Sequence, residues 1–145
     1  MKAITIAATL AAFASPALAE GDAAGDAAAG EEQFNRQCVA CHVVRDDAGE
    51  VLAGRSARTG PNLYAIAGRT LGSIEDFRYG DAIVALGEAG TTWDEENFVA
   101  FVQDPTDYLR EATEAPRARG KMAYRVRDPQ EAADIYAFLA TFGAE

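Results

Sequence analysis

The feature that most constrains this chain is the pentapeptide Cys38-Val39-Ala40-Cys41-His42. C-x-x-C-H is the spacing of covalent haem attachment. On a helix, positions i, i+3 and i+4 lie on one face, so two sulfurs can reach the two vinyl groups of one porphyrin while the adjacent histidine reaches its iron. The motif therefore predicts one haem c per chain, attached through Cys38 and Cys41, with His42 as an axial ligand of the iron.

Three other interpretations of the same residues compete with haem attachment. A structural disulfide would account for both cysteines but would leave His42 without a role. A thioredoxin-like redox pair expects a strand–helix–strand setting, which the surrounding sequence does not indicate. A structural zinc site needs four protein ligands, and the chain contains only 2 cysteines and 1 histidine. The spacing of the motif, the secretory signal described next and the small number of metal-binding residues together favour haem.

Residues 1–19 have the pattern of a cleaved secretory signal. Lys2 supplies the positive charge, an apolar run follows from residue 3 to residue 14, and Ala17-Leu18-Ala19 forms a cleavage site. A membrane anchor would need about 20 continuous apolar residues, and this run stops earlier, at Ser15-Pro16. We therefore expect cleavage near Ala19 and localisation to a periplasm.

The mature segment, residues 20–145, is short enough to form one domain. Loss of Lys2 leaves 12 basic against 23 acidic residues, a formal net charge of −11. Nucleic acids and anionic membrane surfaces attract basic proteins, so the charge argues against both as partners. We expect a soluble monomer with no nucleic-acid partner.

Helix signals are strongest in three segments. Residues 27–41 have apolar residues at helical spacing behind Asp26, which can cap the helix. A second helix is predicted to begin at a capping box formed by Thr92 and Glu95 and to end at Asp104-Pro105. The last helix follows Asp128, with a proline at its first position.

The rest of the mature chain is predicted to be mainly loop. Residues 43–63 contain repeated turn residues, which predict a long loop wrapped around a cofactor. Shorter helices are predicted around 73–77 and 81–88. Because no strand-like alternation of useful length appears, the predicted class is all-α, with a few helices and long loops around one haem.

The number of residues that can bind iron indicates which side chain completes its coordination. His42 is the only histidine, and Met122 is the only methionine left after Met1 departs with the signal. Methionine is the usual partner of histidine in electron-carrying c cytochromes, where its thioether raises the reduction potential. Core packing is the alternative role for a lone methionine. We favour ligation because residues 118–123 form a polar loop without an apolar period.

Over nearly its whole mature length the chain resembles the class I cytochromes c, in particular the bacterial periplasmic cytochrome c2 or c-550 subgroup. An ordered series of short motifs along the chain carries this resemblance. In addition to the haem motif, the series comprises Gly30, Phe34, Thr59-Gly60-Pro61-Asn62-Leu63, Gly68-Arg69, Phe77-Arg78-Tyr79-Gly80, Thr92-Trp93, Asp104-Pro105, Lys121-Met122 and Asp134-Ile135-Tyr136-Ala137-Phe138-Leu139.

The resemblance implies roles for several further residues. The backbone carbonyl of Pro61 would accept the free ring N–H of His42 and orient the ring. Arg69, Tyr79 and Trp93 match positions around the haem propionates, although a surface arginine and core aromatics are the plainer alternatives. Gly30 and Phe34 would form the contact between the first and last helices, facing Phe138.

Two positions depart from the family pattern. Phe101 stands where most relatives have a tyrosine whose hydroxyl contacts the methionine sulfur, so that hydrogen bond is expected to be absent. Tyr124 replaces a phenylalanine found in many mitochondrial relatives.

The resemblance implies a one-electron carrier, not an enzyme, with no small-molecule substrate. The implied partners are membrane redox complexes: a cytochrome bc complex as donor, and a photosynthetic reaction centre or a terminal oxidase as acceptor. A haem enzyme or gas sensor with a labile methionine ligand is the alternative. A second alternative is a cofactor-free exported domain that is held together by a disulfide.

Between residues 117 and 127 the acidic chain has a local excess of positive charge. We call this group the basic run, and it could steer the protein to acidic docking faces or be an ordinary solvated loop. Its members are Arg117, Arg119, Lys121, Arg125 and Arg127.

Overall fold

The computed structural model describes residues 25–143, and the predicted signal and its cleavage site lie outside the described residues. The elements in chain order are α1 (Ala27–Gln37), β1 (Val43–Arg45), β2 (Val51–Gly54), α2 (Asp81–Glu88), α3 (Glu95–Gln103), α4 (Pro105–Ala112) and α5 (Pro129–Ala140). The predicted helical class is confirmed, with one small sheet added. Within residues 25–143 no helix is long and apolar enough to span a membrane.

Aspartate side chains cap four of the helices. Asp26, Asp94, Asp104 and Asp128 each accept a backbone N–H from the first turn that follows, which satisfies donors that have no partner inside the helix. The predicted caps at Asp26 and Asp128 are confirmed. The predicted capping box at Thr92 is wrong, because Asp94 caps α3.

The helix α4 was not predicted from the sequence. Asp104-Pro105 was expected to end a helix, but the same pair also begins the next one, with Asp104 accepting the N–H of Asp107. Proline fits the first helical position because the N–H it lacks would have no partner there. The pair thus marks a boundary between two helices, as Asp128-Pro129 marks the start of α5.

α1 ends at Gln37, four residues before the predicted end at Cys41. The chain then forms tight turns, in which the N–H groups of Cys41 and His42 donate to the Cys38 carbonyl at 3.1 and 2.9 Å. The haem motif therefore lies on turns directly after the helix and not within it.

The predicted loop over residues 43–63 contains an antiparallel hairpin, β1 paired with β2, which has an irregular register between Val44 and Arg45. Strands this short carry no readable alternation, which explains why the pattern did not reveal them. The predicted helix around 73–77 is wrong, since this stretch forms turns. The predicted helix over 81–88 is confirmed.

The core is built where α1 crosses α5. The rings of Phe34 and Phe138 are 5.5 Å apart, and Gly30 allows the helices to approach closely there. The buried Asp134 of α5 accepts the backbone N–H of Asp26 at 2.8 Å, which ties the start of α1 to α5. The predicted contact between the first and last helices is therefore present.

Candidate haem site

The two cysteines of the motif are free thiols, half-buried at the end of α1. Burial, with a smaller contribution from Cys41, raises the pKa of the Cys38 thiol to about 12. Disulfide-exchange proteins rely instead on a cysteine whose pKa is lowered, since the thiolate is the reactive form. The environment of Cys38 therefore argues against a thioredoxin-like redox pair.

His42 is held by the loop that passes beside it. Its Nδ1–H donates to the Pro61 carbonyl oxygen at 3.0 Å. Burial lowers the pKa of the imidazole, partly opposed by this hydrogen bond. Nε2 has no hydrogen-bond partner within residues 25–143. The lowered pKa favours the neutral ring, and the hydrogen bond to Pro61 leaves the lone pair of Nε2 uncommitted, the form in which histidine binds a metal.

Gly60 lies directly against the His42 ring. A Cβ at this position would stand 2.6 Å from Nδ1 and 2.8 Å from Nε2, closer than real side-chain atoms approach. The Gly60 N–H also donates to the Cys41 carbonyl at 2.7 Å. Only glycine lets the loop pass this close, and this role of Gly60 was not predicted from the sequence.

Asn62 fixes the other end of this loop. Its side chain accepts the Arg45 N–H at 2.9 Å and donates to the Arg45 carbonyl at 2.7 Å, in the manner of a paired strand. The loop that holds His42 is therefore anchored to β1. Sequence reasoning missed this role as well; the only signal was an asparagine directly after Pro61.

Arg69 is partly buried and holds the same loop from a second side. Its Nη1 donates to the Tyr64 carbonyl at 2.6 Å, and its Nη2 donates to the Asn62 carbonyl at 3.2 Å. The Nε atom is buried and has no hydrogen-bond partner within the described residues. A buried donor without a partner is rare, and here it belongs to a cationic group that could pair with an anion.

Arg69, Tyr79 and Trp93 come together although they are distant in sequence. The Trp93 N–H donates to the Arg69 carbonyl at 2.9 Å, and the Trp93 ring is buried. Burial raises the pKa of the Tyr79 hydroxyl, and the nearby Arg69 charge opposes that rise. Both aromatics also contact the core, so their packing role is present alongside any role in binding.

Met122 is half-buried, and its side chain packs against the hydrophobic core, as does Phe101. The polar sequence around Met122 did not indicate this contact. The Phe101 ring lies 5.0 Å from Trp93 and 5.9 Å from Tyr108, and it offers no hydroxyl group. Next to Met122, the Lys121 ammonium donates to the Arg78 carbonyl at 2.5 Å.

Comparison with known proteins identifies the family of this chain. The sequence model of cytochrome c matches residues 27–143. The chain belongs to the cytochrome c family. It is 57% identical over 122 residues to cytochrome c2 of Rhodovulum adriaticum, covering 84% of this chain and 96% of that protein. Cytochrome c-550 of Paracoccus denitrificans is 41% identical over 142 residues, covering 94% and 86%.

Solved structures agree with the sequence comparison. The crystal structure of cytochrome c2 from Rhodobacter sphaeroides superposes with a TM-score of 0.80 at 45% identity, covering 83% of this chain and 98% of that one. This confirms the predicted cytochrome c fold. As a cytochrome c, the chain is an electron carrier and not an enzyme.

Members of the cytochrome c family bind haem c covalently, and the donor set of this chain fits that group. Two free thiols stand at the attachment spacing, a neutral imidazole lies beside them, and the partly buried Arg69 has an unpaired Nε. These supply the covalent anchors, a nitrogen ligand and a partner for a carboxylate.

The basic run of this cytochrome c is exposed at all five positions. One of its charges is partly offset, because Arg125 forms an ion pair with Asp104 at 3.0 Å, with the side chains 57% and 34% exposed. Such a solvated pair contributes little stability. Arg119 makes no ion pair with any residue of 25–143 and so presents a free positive charge.

Proposed function

We propose that this cytochrome c is a soluble one-electron carrier of the periplasm, with His42 and Met122 as the two axial ligands of its haem iron. The signal at residues 1–19 is removed near Ala19, and residues 20–145 form the single functional domain. Bound haem supplies a one-electron change between ferrous and ferric iron. The chain's own residues orient the ligands, exclude water and direct the protein to its partners.

The observation that carries the proposal is the state of His42. Its Nδ1–H donates to the Pro61 carbonyl, Gly60 packs against the ring, and burial lowers the pKa of the imidazole, which favours its neutral form. This arrangement leaves Nε2 as the ligand atom and prevents the ring from turning. Asn62 ties the same loop to β1, which further restrains the position of the ring.

Met122 is the only sulfur ligand that the mature chain can offer besides its attachment cysteines. Its half-buried position on the core is compatible with ligation as well as packing. If His42 and Met122 both bind the iron, no coordination position would remain for a substrate or a gas. This closed site distinguishes a carrier from a haem enzyme or sensor.

Arg69, Tyr79 and Trp93 would hold the haem propionates. Arg69 supports this role with a buried Nε that lacks a partner, and Tyr79 offers a hydroxyl beside it. A guanidinium buried near a carboxylate forms a strong charge-assisted hydrogen bond. The propionates would therefore be neutralised inside the protein and not in solvent.

A redox titration followed by visible and near-infrared spectra tests the proposal, using protein matured in a host that attaches haem. We expect a one-electron transition and, in the oxidised protein at neutral pH, the sulfur-to-iron absorption band. Loss of that band in the native protein would contradict ligation by Met122 and favour the haem enzyme or sensor. An intact mass without haem would favour the cofactor-free domain.

The partners we propose are a membrane cytochrome bc complex as donor and a reaction centre or terminal oxidase as acceptor. The basic run supports docking to acidic faces of these complexes, since it is exposed on a chain that is otherwise acidic. Opposite charges across an interface mainly raise the rate of association. Electron transfer by the monomer should then depend on ionic strength.

Arg119→Glu is expected to slow electron transfer to such a complex several-fold at low salt, because the substitution reverses an unpaired charge within the basic run. Stopped-flow kinetics over a range of salt concentrations measures the effect. The difference from wild type should disappear as screening shortens the Debye length to about 3 Å near 1 M salt.

Arg36→Glu is the control, because Arg36 is also exposed but lies in α1 and outside the basic run. It changes the net charge by the same amount. An equal slowing in both variants would show that net charge, and not the basic run, governs association. A rate indifferent to salt and to Arg119→Glu would remove the docking proposal.

A further inference from the structure

Tyr124 lies two residues after Met122 and is 49% exposed, unusually so for a large aromatic side chain. Its hydroxyl donates to Gln37 Oε1 at 3.0 Å. Gln37 is the last residue of α1 and directly precedes Cys38. This hydrogen bond therefore joins the segment that carries Met122 to the helix that carries the attachment motif.

The orientation of Gln37 is set by its other two contacts. Its Nε2 donates to Gln33 Oε1 at 2.7 Å and to Glu131 Oε2 at 2.9 Å. An amide nitrogen has two hydrogens, and the carboxylate of Glu131 can only accept, so both donors are committed. The oxygen of Gln37 must then face Tyr124, and the tyrosine hydroxyl must be the donor.

The segment around Met122 has few other restraints. Within the described chain, the N–H groups of residues 121–125 make no backbone hydrogen bonds. Besides the packing of Met122 on the core, three hydrogen bonds and one ion pair anchor the segment, and all four lead to α3, α4, their junction or the stretch before α2. They are Gly120 N–H to Thr106, the Lys121 ammonium to Arg78, Arg125 to Asp104, and Val126 N–H to Val102.

Tyr124 thus makes the one hydrogen bond within residues 25–143 that links this segment to α1. Without it, the segment would stay attached to α3 and α4 but could move away from the side that carries Cys38 and His42. A phenylalanine at this position would keep the ring and lose the link. The phenylalanine variant therefore separates the effect of the hydrogen bond from the effect of the packing of the aromatic ring.

We propose that Tyr124 is a positioning residue, whose hydrogen bond to Gln37 holds the Met122 segment against the attachment side of the haem site. The proposal rests on the proposed ligation by Met122. Release of the bond lets the segment open more often, which exposes the sixth coordination position to small external ligands. Gln37 and Glu131 act in the same link, by presenting the acceptor.

Imidazole binding to the oxidised holoprotein, measured by optical titration, tests this role. Tyr124→Phe should raise the affinity for imidazole about threefold, the effect of losing one neutral hydrogen bond on the opening equilibrium. Gln37→Leu should raise it similarly. The double variant should show no further rise, because both substitutions break the same bond.

Tyr108→Phe is the matched control, since the Tyr108 hydroxyl donates to Asn97 Oδ1 at 2.9 Å and this bond links α4 to α3, not the Met122 segment to α1. An equal rise in imidazole affinity in this variant would overturn the proposal in favour of general loosening. Unchanged affinity in Tyr124→Phe would overturn it as well.

Met122→Ala separates this proposal from the proposed function. If Met122 is a ligand, Met122→Ala alone strongly increases imidazole affinity, and adding Tyr124→Phe then has no effect, because the position is already open. A continued threefold rise in that background would overturn the positioning role. If Met122→Ala leaves the affinity unchanged, ligation by Met122 fails and the positioning proposal fails with it.

Discussion

Replacing Met122 with alanine is expected to abolish the sulfur-to-iron absorption band of the oxidised protein and to lower its reduction potential. A thioether ligand favours reduced iron, and no other methionine remains in the mature chain to replace it. Near-infrared spectra and a redox titration of the purified variant measure both effects. The loss of the band should be complete, since the band requires a bond between sulfur and iron.

Met122→Leu distinguishes ligation from packing. Leucine has nearly the same volume and packs well, but it has no sulfur, and volume-conserving substitutions usually cost less than about 1.5 kcal/mol of stability. If Met122 serves only the core, Met122→Leu should retain the wild-type spectrum and potential. If Met122 binds the iron, Met122→Leu should lose the band as fully as Met122→Ala does. Its free energy of unfolding should stay closer to that of the wild type.

Gly30→Ala is expected to destabilise the fold by about 3 kcal/mol, the upper range for overpacking. Inside a helix this substitution ordinarily stabilises by about 1 kcal/mol. Here the added Cβ would overlap the Asp134 carbonyl group and stand 2.9 Å from the Phe138 Cβ, so α1 and α5 must separate. Denaturant unfolding of the holoprotein measures the change.

Asn35→Ala provides the control, because Asn35 is exposed on the same helix. It should be neutral or slightly stabilising, which reports the helix preference of alanine alone. A Gly30→Ala variant that is as stable as wild type would show that the two helices can move apart without cost. The close packing of α1 on α5 would then contribute little to the fold.

Helix positions that depend on local chemistry were predictable. Asp128-Pro129 marks the start of α5 because an aspartate can accept the free N–H groups of the first turn and a proline needs no partner there. The same chemistry at Asp104-Pro105 was misinterpreted as an end only. The cap at Asp94 was missed because Thr92, two residues earlier, offered a similar signal.

Features that depend on contacts between distant segments were not predictable from the pattern. β1 and β2 are too short to show alternation, and they pair because the chain turns back between them. The role of Gly60 appears only when its loop is seen beside the His42 ring. The link from Tyr124 to Gln37 joins residues 87 positions apart, which no local spacing reveals.

By itself, the sequence determined which chemistry this protein can perform. The spacing of Cys38, Cys41 and His42 and the single remaining methionine limit the cofactor and its ligands, because these are facts of residue type and count. The tertiary structure decided how those groups are held: the lone pair left on His42, the partnerless Nε of Arg69 and the anchors around Met122. Such features arise from contacts between residues that are far apart in the sequence, and the order of residues alone does not reveal these contacts.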